Sequence, residues 1–273
     1  MLVDAFLFFN ELDLLEIRLT ELAPYVDRFV LVECTWTHQN QPKPLHYLEN
    51  KKRFAPWARK IQHVVVSDRP ERKTPEVMEP FHRNCLVRGC EDCDPNDTVM
   101  ISDLDEIPSP EAILAYQRDP QPCMCFEQAM YYYWVNCFHN QCTGTRICSV
   151  DYARRMTPQR IRHHPTPLVA LRKDGESNWG GWHFSYLGGA DAIREKTAAF
   201  CHPGCADAKF MNDANVRQCL ATGEDLYHRG GNPRFVEIDE TWPKAIRETP
   251  ERFLHLIKPW TKETTHETDS RRD

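Results

Sequence analysis

Short, almost unbroken apolar runs alternate with helical patterns over the first half of the chain. The runs at residues 3–9, 28–34, 61–67 and 98–102 are typical of strands that are covered on both faces. Leucines at positions 12, 15, 19 and 22 predict a first helix with Asn10 as its N-cap, and Ser109-Pro110 predicts the start of another. This alternation predicts an α/β fold with a mostly parallel central sheet.

The second half of the chain has a weaker pattern. Residues 123–126 and 130–135 predict further strands, and clear periodicity returns only around residues 190–200. The sequence contains no internal repeat and no Gly/Ser-rich linker. We therefore expect one domain over residues 1–260, followed by a disordered tail at 261–273.

Composition and charge exclude several classes of protein. The chain has 273 residues, of which 41% are hydrophobic and 27% charged, which excludes a disordered or fibrous chain. The net charge of −6 argues against nucleic acid or an anionic membrane as the main partner. No apolar stretch approaches the roughly 20 residues of a membrane span. The first residues, MLVDAFLFFNELD, lack the basic front and cleavage site of a secretory signal, so the expected location is cytoplasmic.

The chain contains twelve cysteines. In a protein that carries no secretory signal, reduced thiols or a metal site are expected rather than disulfides. Cys90 and Cys93 have the C-x2-C spacing of a zinc site, but no second pair completes the set. We expect buried free thiols, with a structural zinc as the alternative.

The segment ISDLDEIP at residues 101–108 ends an apolar strand with three acids and a proline. Asp103 and Asp105 point the same way on an extended chain. Mg²⁺ and Mn²⁺ are usually held by one or two carboxylates together with substrate phosphates, and open α/β sheets bind ligands at the carboxyl ends of their strands. The pattern favours a metal–diphosphate site here, and the alternative is an acidic loop that caps the next helix.

Five blocks of sequence resemble, in the same order, glycosyltransferase family 17. They are DAFLFFNELDLLEIRL, FVLVECTWTHQNQPKPLHY, VMISDLDEIPSPEAI, GGWHFSYLGG and TGEDLYHRG, and they cover about residues 3–235. The family comprises the β-1,4-mannosyl-glycoprotein 4-β-N-acetylglucosaminyltransferases and shorter microbial relatives. The resemblance implies a GT-A fold with a Rossmann-like nucleotide-sugar domain, an inverting mechanism and UDP-GlcNAc as donor.

The resemblance also implies a divalent metal, Mn²⁺ or Mg²⁺, at the D-x-D motif. We assign Asp105 as the main metal ligand and Asp103 as a metal or ribose contact. His183, in Gly-Trp-His, is the candidate for a third ligand, and a core or acceptor-site histidine is the alternative. Glu106 is expected to support the site or the following helix.

Polar residues in the first half of the chain are expected to hold the nucleotide. Asn10 and Glu11 follow the first strand, and Glu33 lies at the end of the second. Arg83 can face the diphosphate with two hydrogen bonds. Ser102 joins Asp103 as a further candidate beside the nucleotide.

An inverting transfer needs a general base for the acceptor hydroxyl, and carboxylates commonly serve. Asp225 and Glu224, behind Gly223, are the candidates, with Glu127 and Asp174 in reserve. Aromatic residues at 131–134, 179 and 182 are candidates for stacking against an acceptor sugar.

The sequence thus predicts a metal-dependent inverting glycosyltransferase that moves GlcNAc from a UDP-sugar to a glycan or other hydroxyl acceptor. One alternative keeps the fold and uses another UDP-hexose. Another alternative, of a different class, is a non-catalytic, zinc-stabilised carbohydrate-binding protein.

Overall fold

The computed structural model of the chain describes residues 1–165, 168–169, 180–200 and 203–259. The predicted tail at 261–273 lies outside the described residues, as do Asp174 and Trp179. Within the described residues, no helix is long and apolar enough to cross a membrane.

The strands form one sheet with helices packed around it. The described strands are β1 (Leu2–Phe8), β2 (Arg28–Cys34), β3 (Ile61–Val66), β4 (Thr98–Asp103), β5 (Glu106–Pro108), β6 (Cys123–Tyr132), β7 (Cys137–Ser149), β8 (Leu168–Val169), β9 (Gly181–Ser185) and β10 (Arg234–Phe235). Their order in the sheet is β3-β2-β1-β4-β7-β6-β9-β5, with β8 paired to β6 and β10 paired to β7.

The described helices are mostly short. They are α1 (Leu12–Leu22), α2 (His46–Glu49), α3 (Pro75–Asn84), α4 (Pro110–Arg118), α5 (Val150–Met156), α6 (Pro158–His163), α7 (Gly189–Ala199), α8 (Ala208–Met211), α9 (Asp213–Thr222) and α10 (Lys244–Glu248). Single 3₁₀ turns or helices cover Lys51–Trp57, Cys85–Cys90, Pro203–Ala206, Pro250–Arg252 and Leu254–Leu256.

The α/β class is confirmed, but the sheet is mixed rather than mostly parallel. Strands β1 to β4 pair in parallel, as predicted. Strand β7 then runs antiparallel to both β4 and β6, and β5 runs antiparallel to β9. The reason is that β6 and β7 form a long hairpin, and a hairpin reverses the chain direction inside the sheet.

Strand β1 lies in the middle of the parallel half, between β2 and β4. Its residues alternate between two cores: Phe6 and Phe8 pack with α1 on one face, and Val3 and Ala5 pack on the other. Since side chains of a strand point to alternate faces, a strand covered on both faces needs an apolar residue at nearly every position. This explains why β1 reads as a continuous apolar run.

Two predicted helix starts have different outcomes. The helix after β4 begins as predicted, because the Ser109 side chain accepts a hydrogen bond from Ala112 N–H at 3.2 Å. The prediction that Asn10 caps the first helix is wrong. Helix α1 begins one residue later, so Glu11 is at the N-cap and Asn10 instead contributes its carbonyl oxygen to Leu12 N–H at 2.9 Å.

Strands β5 and β9 bring two distant parts of the chain together. Glu106 pairs with His183 across this short antiparallel ladder. The Asp105 carbonyl oxygen also accepts a hydrogen bond from Phe184 N–H at 2.9 Å. The D-x-D turn is therefore held directly beside the Gly-Trp-His motif.

Candidate active site

A cavity of about 280 Å³ lies at the carboxyl ends of β1, β2 and β4. Open α/β sheets bind ligands at this edge. Its polar wall residues are Glu11, Thr37, His38, Lys43, Glu79, His82, Arg83, Asp103, Asp105 and Lys196. Apolar side chains, among them Phe9, Trp36 and Phe200, complete the wall. Ligand sites commonly combine such an apolar wall with a few polar groups.

Arg18 of α1 fixes the turn that carries both motif aspartates. It is fully buried, and its Nη1 donates to the carbonyl oxygens of Asp103, Leu104 and Glu106 at 3.2, 3.0 and 2.8 Å. Its Nη2 donates to Ser102 Oγ at 2.6 Å. Because a guanidinium presents five N–H donors in a rigid plane, the single side chain of Arg18 can bond several carbonyl oxygens of the turn at once.

Asp105 lies on the cavity wall with a basic side chain at each carboxylate oxygen. Lys196 Nζ lies 2.7 Å from Oδ2, and His183 Nε2 lies 3.6 Å from Oδ1. The other nitrogen of His183, Nδ1, lies 3.4 Å from Cys142 Sγ. Burial raises the pKa of the Asp105 carboxyl, but the charges of Lys196 and His183 outweigh it and hold the pKa well below its usual range. Asp105 is therefore ionised at neutral pH.

Asp103 is bound by two arginines. Arg83 Nη2 lies 3.2 Å from its Oδ1, and Arg162 Nη2 lies 3.4 Å from its Oδ2. Arg162 also donates two hydrogen bonds to Glu106, at 2.5 and 2.6 Å. Burial raises the pKa of Asp103, but the two guanidiniums outweigh it and bring the pKa to about 2. The first aspartate of the motif thus holds Arg83 at the cavity wall.

The three residues predicted as metal ligands are divided between these two environments. Asp105 and His183 lie together, whereas the described partners of Asp103 are arginines. Across residues 1–165, 180–200 and 203–259, no group of three or more His, Cys, Asp or Glu side chains could hold an ion. A metal that shares its coordination with a nucleotide needs only one or two protein ligands, and Asp105 with His183 fits that requirement.

The cysteine pair Cys90 and Cys93 has no third metal ligand in the described part of the chain. The described cysteines are free thiols, and all except Cys142 are buried. The arrangement therefore gives no support to the zinc-stabilised alternative.

Two residues predicted to hold the nucleotide, Glu11 and Arg83, lie on the cavity wall. Arg83 is kept in place by Asp103, and by Glu79 at 2.8 Å and Gln159 at 2.7 Å. These contacts leave the guanidinium facing the cavity from α3. A planar cation in this position suits a phosphate group.

Two further residues that were predicted to contact the nucleotide, Glu33 and Ser102, are instead buried and bonded to other residues of the protein. Glu33 is fully buried, and its carboxylate contacts Tyr47 N–H at 3.1 Å and His63 Nε2 at 2.9 Å. Ser102 is buried, and its hydroxyl is engaged by Arg18. Glu33 also lies 3.6 Å from Lys43 Nζ, so it supports the cavity from behind.

Asp225 and Glu224 lie in different surroundings beyond α9. Gly223 ends that helix with a φ of 82°, a left-handed conformation that favours glycine. Glu224 is exposed, whereas Asp225 is 5% exposed and binds Arg229 Nη2 at 2.6 Å and Tyr227 N–H at 2.8 Å. Burial raises the pKa of Asp225, but the hydrogen bonds from Arg229 and the backbone outweigh it and lower the pKa.

The surroundings of Asp225 are aromatic. Arg229 Nη2 also lies 3.4 Å from the hydroxyl of Tyr132, whose ring is tilted against that of His139 with centroids 4.4 Å apart. The ring of Tyr186 lies 5.6 Å from that of Tyr132 and 6.4 Å from that of Phe200 on the cavity wall. A row of aromatic side chains therefore connects the cavity with the region of Asp225. The reserve candidate Glu127 is half-buried in β6.

Sequence reasoning missed three basic residues of the site: Lys43, Arg162 and Lys196. A single lysine or arginine in a polar context reads as a solvent-exposed side chain. Only Lys43 carried a usable signal, because it lies in the block that follows β2. Arg162 and Lys196 belong to helices far along the chain, and only the tertiary fold brings them to the D-x-D turn.

The chain is similar in sequence to known glycosyltransferases. The profile of Glycosyltransferase family 17 matches residues 1–230. The chain is 29% identical, over 285 residues, to human β-1,4-mannosyl-glycoprotein 4-β-N-acetylglucosaminyltransferase, covering 91% of this chain and 53% of the human protein. The proteins of the same name from Rattus norvegicus and Mus musculus are 29% and 28% identical over 286 residues. The chain thus spans about half the length of the curated relatives it matches.

Proposed function

The chain belongs to glycosyltransferase family 17, and we propose that it is an inverting N-acetylglucosaminyltransferase. Its proposed donor is UDP-GlcNAc. The proposed acceptor is a hydroxyl of a glycan or another carbohydrate. The observation that carries the proposal is the cavity at the ends of β1, β2 and β4, which Asp105 and Arg83 line, together with His183, which faces Asp105 at 3.6 Å. We further propose that the fold is of the GT-A class, with β1 to β4 as its nucleotide-binding half.

The donor is proposed to bind with its nucleoside against the loop after β2 and its diphosphate toward Asp105. Trp36 and Phe9 offer apolar surface for a base and ribose, and both line the cavity. Arg83 lies on the same wall, and an N–H group that is not bonded to Glu79, Gln159 or Asp103 can donate to a phosphate. Its bonds to Asp103 and Glu79 fix its position before the donor arrives.

Asp105 and His183 are the residues proposed to hold a divalent cation, Mn²⁺ or Mg²⁺. Their facing atoms are 3.6 Å apart, and they combine a carboxylate oxygen with an imidazole nitrogen, a set that suits Mn²⁺. Such a cation, when bound, stabilises the negative charge of a departing diphosphate. Arg18 contributes by holding the carbonyl oxygens of Leu104 and Glu106, on either side of Asp105, so that the turn is in place before any ligand binds.

The transfer also needs a group that removes the proton from the acceptor hydroxyl. Asp225 remains the proposed base. It is ionised at neutral pH, and aromatic side chains suited to sugar rings connect its surroundings with the cavity. Its bonds to Arg229 make it a weak proton acceptor until that arginine moves.

The test is a donor and metal screen on the purified chain. UDP-GlcNAc, UDP-galactose and UDP-glucose are each incubated with Mn²⁺ or with EDTA, and release of UDP is measured with and without chito-oligosaccharide or mannose-containing acceptors. We expect turnover of UDP-GlcNAc above the other donors, dependent on Mn²⁺ and abolished in Asp105→Asn. Preferential turnover of another UDP-hexose would change the proposed sugar. Absence of UDP release from every donor would contradict the proposed function.

A further inference from the structure

The ammonium group of Lys196 is enclosed on the cavity wall between two carboxylates. Its Nζ lies 2.7 Å from Asp105 Oδ2 and 3.0 Å from Glu11 Oε1, and its side chain is 11% exposed. The ring of Phe200 lies 5.7 Å from Nζ. An ammonium has three N–H donors, and its described contacts use two of them. The third N–H is available to a ligand in the cavity.

The charged side chains that line the cavity explain why an anionic ligand needs an ammonium group close to it. Four carboxylates line the cavity: Glu11, Glu79, Asp103 and Asp105. The lysine and arginine side chains on the same wall are three: Lys43, Arg83 and Lys196. A diphosphate brought into this surrounding is repelled unless cations face it directly.

Of the three cations, Lys196 is the one bonded to Asp105. Lys43 Nζ is directed at Glu33 and at the carbonyl oxygens of Phe9 and Pro44. Arg83 is bonded to Asp103 and Glu79.

We propose that Lys196 is a catalytic residue that donates a hydrogen bond to the β-phosphate of the donor and stabilises the charge of the departing diphosphate. This inference rests on the proposed function for the identity of the donor. It assigns the role to an ammonium that α7 already places at the D-x-D turn. The bonds to Asp105 and Glu11 set its position, so little reorganisation is needed when the donor binds.

The bond between C1 of the sugar and the β-phosphate oxygen breaks, and the oxygen keeps the electron pair. The acceptor oxygen forms the new bond to C1 and gives its proton to the base. The UDP that leaves carries one more negative charge than it did as part of the donor. Lys196 transfers no proton, and its fixed positive charge acts on the oxygen where that charge develops.

The experiment compares the binding of UDP and uridine, which differ only in the diphosphate. Dissociation constants are measured by calorimetry for the wild-type chain, Lys196→Met and Lys196→Arg, in Mn²⁺ and in EDTA. The matched control is Lys209→Met, the same change at an exposed lysine on α8. Lys196→Met should weaken UDP binding about tenfold or more in both buffers, because a hydrogen bond to a charged group is lost. Uridine binding should change by less than about twofold, and Lys196→Arg should keep most of the UDP affinity.

Three results would overturn the assignment. They are equal losses for UDP and uridine, unchanged UDP binding, and a loss confined to Mn²⁺, which would show that Lys196 acts only through Asp105. If Lys196→Met does not fold, the same binding measurements are made on Lys196→Gln, because the glutamine amide can still donate a hydrogen bond to Glu11. A wild-type chain that binds UDP more tightly than uridine but transfers no GlcNAc contradicts the proposed function alone. A wild-type chain that does not favour UDP over uridine overturns both.

Discussion

Arg18 of α1 and Asp4 of β1 form a fully buried ion pair, in which Nε lies 2.8 Å from Oδ2 and Nη2 lies 2.6 Å from Oδ1. The same guanidinium donates to the carbonyl oxygens of Leu104 and Glu106. The pair therefore connects β1, in the parallel half of the sheet, with the turn that carries Asp105.

Replacing Arg18 with methionine should destabilise the protein strongly. The change leaves the Asp4 carboxylate buried without a partner, which costs about 3–5 kcal/mol. The free energy of unfolding in urea is the measurement. A loss below about 1 kcal/mol, the value of a surface pair, would contradict the structural role of this contact.

The double variant Asp4→Leu/Arg18→Met separates stability from catalysis. Removing both charges should restore much of the stability, because no unpaired charge remains buried. Transfer activity should stay at least about tenfold below wild type, since the turn has lost the donors that fix its carbonyl groups. Full activity in a stable double variant would show that Arg18 does not position the turn.

The two motif aspartates should respond differently to removal of their charge. Asp105→Asn keeps the size of the side chain but loses the charge that faces Lys196 and His183, and it should lower the transfer rate by at least about 100-fold. Asp103→Asn should act mainly on donor affinity, because Asp103 holds Arg83. Initial rates over a range of UDP-GlcNAc and Mn²⁺ concentrations distinguish the two effects. Identical kinetic defects would contradict the division of roles.

Asp225→Asn tests the proposed base. If Asp225 accepts the acceptor proton, kcat should fall by roughly 10²–10⁴-fold while UDP affinity is unchanged. Kinetics well below the melting temperature, beside a calorimetric titration with UDP, give both values. Glu224→Gln is the neighbouring control, because Glu224 is exposed. A normal kcat in Asp225→Asn would reduce the role of Asp225 to holding Arg229 and its turn.

The pH dependence of stability should change in the same variant. The pKa of Asp225 is lowered in the folded protein, so its carboxylate contributes stability above its unfolded pKa of about 3.9, and that stability is lost as the pH falls through the lower folded pKa. Asp225→Asn should therefore cost about 1–3 kcal/mol at pH 7 and less at pH 3. Urea unfolding at both pH values checks the sign, and an equal cost at both would contradict it.

The cysteines should be reduced and mostly unreactive in the folded protein. Burial raises the pKa of Cys85 to about 11 and that of Cys90 to about 12, so neither forms the reactive thiolate at neutral pH. Iodoacetamide should leave both unmodified in the native protein and should modify all twelve cysteines after denaturation without reductant. Mass spectrometry reads both results, and disulfide-linked peptides would contradict the prediction.

The parallel half of the sheet could be predicted from sequence, because strands that are buried on both faces have nearly continuous apolar sequences. Strand β2 was predicted with its observed bounds, Arg28–Cys34. Strand β7 was missed because its residues include His, Asn, Gln, Thr and Gly, and much of it is exposed between Asn140 and Thr143. Strand β7 forms because it pairs with β6 and β4. The local sequence pattern carries no information about this pairing.

The D-x-D turn could be predicted, but the contacts that define its chemistry could not. Asp103 and Asp105 look equivalent in sequence, and their difference comes from residues on separate helices: Arg83 on α3 and Lys196 on α7. Arg18 was overlooked because it lies beside the leucine stripe of α1, where an arginine reads as a surface residue. These side chains acquire their roles only through tertiary packing.

The pairing of Glu106 with His183 determines where the chain can accept an inserted residue. A shift of one residue in this ladder would bring Trp182 or Phe184 opposite Glu106 and turn the imidazole to the other face of the sheet. An insertion in the loop between α4 and β6, at residues 119–122, leaves this pairing unchanged. Such an insertion should therefore be tolerated, whereas a single residue added inside β5 or β9 should inactivate the protein.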